Sequence, residues 1–168
     1  MIFSCTQIVN EKITKLYPIA KEKPEPHIYN WYVNQVSFGR QKGLIITNAL
    51  TLYTLYYPKA TMPIFRNFEE VFKEAFLNTA QKNELSQEVI DMYFENSPEK
   101  IVITKTNSDQ VIHAMNEMAK YLQEVQTKGG DLEAEAPKLN HLEYTNIERN
   151  KDKKRPPIEV MVETLQPV

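Results

Sequence analysis

Residues 30–57 read N-W-Y-V-N-Q-V-S-F-G-R-Q-K-G-L-I-I-T-N-A-L-T-L-Y-T-L-Y-Y, and the fold is decided in this stretch. Three runs rich in aromatic and β-branched residues, 30–38, 44–48 and 51–57, predict three strands. Gly39-Arg40-Gln41-Lys42-Gly43 supplies a hairpin turn between the first two, and Pro58 stops the third. Connections this short leave no room for a crossover, so the three strands pair antiparallel.

Outward from this core the periods change. Ile2–Cys5 predicts a short strand, and Thr6 the N-cap of a helix carrying Ile8, Val9, Ile13 and Leu16 and ending before Pro18. Downstream, Phe68, Val71, Phe72, Ala75 and Phe76 form a helical stripe. A second helix begins near Ser86 and stops at Ser97-Pro98. Residues 100–104 predict another strand, and Asn107 with Gln110 a capping-box start for a last helix ending at Gly129-Gly130. The order β-α-β-β-β-α-α-β-α predicts an α+β fold, a mainly antiparallel sheet with helices packed on one face. Residues 1–126 form that domain. Residues 127–168, with 7 basic and 8 acidic side chains and four prolines, form a charged C-terminal tail. Within it I-E-V-M-V-E-T-L, 158–165, alternates like a strand that could join a sheet edge, its own or a partner's.

The chain has 168 residues and a formal charge of −2, which excludes a globally basic nucleic-acid coat. One cysteine makes no internal disulfide and favours a reducing, cytoplasmic setting. No apolar run approaches membrane-spanning length, so neither a signal peptide nor a membrane contact is expected. Phosphate-cradling glycine loops, a nucleophile elbow and paired Cys or His ligands are all missing, so no catalytic residue, metal or cofactor is assigned.

Two polar groupings remain as ligand candidates. Trp31 and Asn34 lie on opposite faces of the first strand, and Asn34 and Asn48 each interrupt an apolar row. Such an amide either ties down a neighbouring loop or points into a pocket. Arg40 and Lys42 put two cations on the hairpin, and Lys105 lies where the late strand meets the last helix. Together they could hold the phosphate of a nucleotide or nucleic acid. The alternative is a protein partner met by the tail through Lys153, Lys154, Arg155, Ile158, Val160 and Val162.

The opening I-F-S-C-T, the block W-x-x-N-x-x-x-x-x-R-x-K-x-L-I-I-x-N and the later I-T-K-T resemble domain of unknown function 6933. This is a family of small uncharacterised bacterial proteins, also seen in plasmid and phage settings. The resemblance covers about residues 1–125 and maps onto Cys5, Thr6, Trp31, Asn34, Arg40, Lys42, Asn48 and Lys105. Tyr32-Val33-Asn34 stands where the pattern implies H-A-N, so no histidine role beside the tryptophan carries over. The family implies no mechanism. The missing catalytic signatures therefore favour a non-enzymatic binding or regulatory protein, with a mobile-element or phage setting implied by the resemblance. A nucleotide-binding protein or enzyme built on Arg40, Lys42 and Lys105 is the rival.

Overall fold

The computed structural model describes residues 1–21, 23–145 and 154–166. Its centre is the predicted hairpin. Strand β2 (Asn30–Phe38) pairs antiparallel with β3 (Gln41–Asn48) over eight residue pairs, the longest ladder of the sheet. The turn is tighter than the glycine spacing suggests. Phe38 pairs with Gln41, so only Gly39 and Arg40 form the loop, and Gly39 takes φ +61°. Gly43 belongs to β3 instead. A Cβ there would meet Tyr56 Cε2 at 2.9 Å and the Tyr57 carbonyl oxygen at 3.0 Å, so the close approach of β4 (Thr54–Tyr57) requires a glycine.

Five strands order as β4-β3-β2-β1-β5, where β1 is Ile2–Cys5 and β5 is Val102–Lys105. The β2–β3 and β3–β4 ladders are antiparallel. Strand β1 runs parallel to both its neighbours, β2 and β5, with α1 (Gln7–Ile13) as the β1–β2 crossover. The α+β class and a sheet whose longest pairing is antiparallel match the sequence pattern. The third strand starts three residues late because residues 49–52 make a turn in which Leu52 adopts φ 61°.

Helices lie on both faces of the sheet, not on one. Odd positions Trp31 and Val33 of β2, with Leu44 and Ile46 of β3, meet α1, α2 (Met62–Arg66), α3 (Phe68–Lys82) and α4 (Gln87–Glu95). Even positions Tyr32, Val36 and Phe38, with Ile45, meet α5 (Asp109–Thr127) and α6 (Leu132–Glu135). The central strands carry unbroken apolar runs such as Trp31-Tyr32-Val33 and Leu44-Ile45-Ile46, which is what burial on two sides demands. Each such side chain taken fully from water contributes about 1.5–3 kcal/mol.

The alternating segment 158–165 is not a strand. It forms helix α7 (Pro157–Leu165), opened by Pro157, whose fixed φ suits a first helical position. Met161 and Leu165 join the aromatic-side core with Ile158 packed against it, at i, i+3 and i+7. Each sheet edge is already partly capped by another segment of the chain. On the outer side of β5, the Ile103 N–H donates to the Pro18 carbonyl and the Ala20 N–H to the Ile103 carbonyl. On β4, the Thr54 N–H donates to Asn140 Oδ1 at 2.7 Å, and Asn140 Nδ2 returns a bond to the Thr54 carbonyl at 2.9 Å. Asn140 lies in a 3-10 helix, Ala136–His141, and so mimics a neighbouring strand. The described part of residues 127–168 thus packs on the body, Leu132, Ala136 and Leu139 on one face and Met161 and Leu165 on the other.

Candidate functional site

Alternation decides where each candidate side chain goes. Trp31 is completely buried among Phe72 and Phe76, and its Nε1–H donates to the Tyr93 hydroxyl at 2.8 Å. Asn48 is equally buried. Its Nδ2 donates to the carbonyl of Ile28, and its Oδ1 accepts from the backbone N–H of Leu50 and Thr51 and from Thr51 Oγ1. That amide therefore ties the turn at 49–52 to the chain entering β2. Asn34, half-buried, accepts from Thr6 Oγ1 at 3.0 Å at the start of α1.

The three candidate cations do not meet. Cys5 pairs with Lys105 on one side and Val33 on the other, so Lys105 stands level with Val33. Phe38, at the base of the turn that carries Arg40, lies five residues further along β2, about 17 Å at roughly 3.3 Å per residue. All three side chains are exposed. In the tail, Lys153 lies outside the described residues and Lys154 is exposed. Arg155 is held by the helix that follows it, α7, with Nη2 at 2.7 Å and Nη1 at 3.1 Å from the two Glu163 carboxylate oxygens. Val160 is buried in the chain's own body, and Ile158 and Val162 are half-buried, so this apolar row is largely spent on self-packing.

Sequence reasoning passed over Asn83 and Asn140. Asn83 Oδ1 accepts from the Tyr53 hydroxyl at 2.8 Å and from Asn140 Nδ2 at 3.1 Å, while its Nδ2 donates to the Pro137 carbonyl and to His141 Nε2. This buried network fastens the 3-10 helix to α3 and β4. No signal marks either asparagine in its polar sequence neighbourhood.

The chemistry of the interior is quiet. The Cys5 thiol is buried, points at the Phe3 carbonyl and is pushed up to about 12 by burial, far from thiolate reactivity. Burial likewise raises the Tyr53 and Tyr93 hydroxyls. Among the described residues no three His, Cys, Asp or Glu side chains gather as a metal site, and no helix is long and apolar enough to cross a membrane.

Charge is unevenly spread. Residues 67–99, which span α3 and α4, carry eight carboxylates against two lysines, while residues 1–66 carry eight cations against three carboxylates. A cleft of about 360 Å³ opens beside α3 and α4 at the start of β1. Its floor includes Phe72, Phe94 and Ile101, and its rim Glu69, Lys73, Glu95 and Glu99. Lys73 is engaged by Glu69 at 3.1 Å. Glu95 and Glu99 are exposed and make no ion pair with the described residues.

A family model described as domain of unknown function (DUF6933) matches residues 2–160, well past position 125 and into α7. No curated protein and no solved structure gives a significant match.

Proposed function

Since the chain belongs to the DUF6933 family, whose function is unknown, we propose from its surface that it is a non-enzymatic binding protein that regulates a protein partner. The observation that carries this reading is the half-exposed apolar floor at Phe94 and Ile101, rimmed by the unpaired carboxylates Glu95 and Glu99. An apolar patch with a charged rim is the usual anatomy of a contact surface, and here the sign of the charge selects the partner. The occupant is a protein segment presenting an apolar side chain flanked by lysine or arginine. The setting is the cytoplasm, which the lone unreactive Cys5 favours, and the resemblance adds that of a mobile element.

The tail is not the contacting arm in this reading, because removing residues 131–168 would strip Leu139, Met161 and Leu165 from the two cores. Affinity purification from the native host should compare the wild type with the Glu95→Lys/Glu99→Lys pair and with Arg40→Ala/Lys42→Ala. A protein with a basic apolar segment should be retained by the wild type and by the hairpin variant, and lost by the charge-reversed rim. Equal retention by the rim variant would refute the proposal. Loss with the hairpin variant instead would return the basic turn to first place.

A further inference from the structure

On the opposite face of the sheet, a second cleft of about 340 Å³ lies between residues 23–26 and the N-terminus of α5. Asn30 and Tyr32 of β2, Ala49 and Val111 line its interior, with Lys23 and Glu25 at its mouth. Asn107 joins its walls: the Tyr32 hydroxyl donates to Asn107 Oδ1 at 2.6 Å and accepts from the Asn107 N–H at 3.2 Å, and Asn107 Nδ2 donates to the Pro24 carbonyl at 3.5 Å.

Asn30 is the unusual member. It is 1% exposed, and its Oδ1 accepts from the buried Ser4 hydroxyl at 2.9 Å, which orients the amide. Its Nδ2 makes no hydrogen bond to any described residue. Every fully enclosed side-chain nitrogen and oxygen among the described residues is paired. The sliver of accessible surface on Asn30 is therefore at this donor, and the space it faces is the cleft. An amide N–H₂ left without a partner at the base of a recess carries an uncompensated desolvation cost, and an acceptor supplied from outside removes it.

The start of helix α5 borders this cleft through Ser108, Gln110 and Val111. Ser108 Oγ accepts from the Val111 N–H and the Ser108 carbonyl from the Ile112 N–H, while the N–H groups of Asp109 and Gln110 begin the helix without intrahelical partners. The donors could suit an anion, but the charges do not. Lys23 is opposed at the mouth by Glu25, and Asp109 is the first residue of the helix. A neutral acceptor meets the same donors without that repulsion.

We propose that this cleft binds a neutral, planar carbonyl compound, an amide or cyclic imide of nucleobase size, whose oxygen accepts from Asn30 Nδ2 while its ring lies among Tyr32, Ala49 and Val111. Gln110, exposed at the rim and carrying both an acceptor and donors, takes the ligand's N–H. The site is independent of the acidic groove beside α4, so either can fail alone.

Uracil is the probe, with inorganic phosphate and acetate as anion arms, on the full chain. Uracil should raise the melting temperature and shift the Asn30 side-chain amide and the Asp109 and Gln110 backbone amides in two-dimensional NMR spectra. Asn30→Asp keeps the acceptor for Ser4 but replaces the donor, and should weaken uracil at least about tenfold. Should that variant fold poorly, Gln110→Trp fills the mouth from an exposed position and should block uracil in a folded protein. Phosphate or acetate binding in place of uracil, no binding by any of the three, or uracil binding untouched by Gln110→Trp would each overturn the assignment.

Discussion

One face of the sheet is closed by rings and the other by methionine, alanine and side-chain amides. On the first, Phe76 stacks on Tyr93 with centroids 4.6 Å apart and planes 16° off parallel, and Trp31 meets Phe72 nearly edge-on at 5.1 Å. On the second, Ala114, Met115, Met118 and Ala119 of α5 lie over Tyr32, Val36 and Ile45, with Thr54 Oγ1 set against the Met118 sulfur. Rigid rings interlock in fixed geometry, whereas methionine adapts to irregular gaps; a cleft opens on each face, beside Phe72 and Phe94 on the first and beside Asn30 on the second. The ring-packed face is expected to carry the larger share of the stability, and the recess containing the unpaired Asn30 donor lies on the other.

The strongest way to break this contrast is Trp31→Ala. It deletes an indole packed on three rings and orphans the Tyr93 hydroxyl, and should cost about 3–5 kcal/mol in denaturant unfolding. A loss below about 1 kcal/mol would mean that the rings are not where the stability resides. Next comes Asn140→Ala, which should cost about 1–3 kcal/mol because it leaves Asn83 and both backbone groups of Thr54 short of partners. It also bares the β4 edge, so size-exclusion chromatography should show association at high concentration, and a strictly monomeric profile would contradict the edge-capping role. The smallest effect is expected from Arg40→Ala/Lys42→Ala, within about 0.5 kcal/mol, since both side chains are exposed and neither makes an ion pair among the described residues. A larger shift in melting temperature would give the turn a structural duty that its exposure does not suggest.

What could be read from the sequence divides along physical lines. The hairpin was legible because alternation and the turn glycine Gly39 act locally, and the Phe68–Phe76 stripe because a helix repeats its own period. Pairing direction at β1 was harder, although a strand, a helix and a strand in succession is the pattern of a parallel unit. The segment 158–165 was ambiguous in itself, since Ile158, Val160 and Val162 satisfy a period of two while Ile158, Met161 and Leu165 satisfy a helix. Tertiary packing decided between them, and each sheet edge is already partly capped, at Ile103 and at Thr54. For the candidate site the same limit applies more sharply. Asn34 and Asn48 stood out as amides in apolar rows, yet both are partnered, while Asn30 was passed over. Which amide keeps a free donor depends on the β1–β2 register that sets Ser4 beside it, and register lies beyond any single segment.

The first strand of the chain has its own timetable. Ile2 pairs with Asn30 on one side but with Val102 on the other, a hundred positions later. At synthesis rates of about 5–20 residues per second, β1 waits roughly 5–20 s for that second neighbour to be made. During the interval the nascent N-terminal half holds a strand with one open side, and contacts this distant in sequence also slow refolding of the finished chain. Until Val102–Lys105 is made, the side of β1 that β5 will cover has no strand beside it.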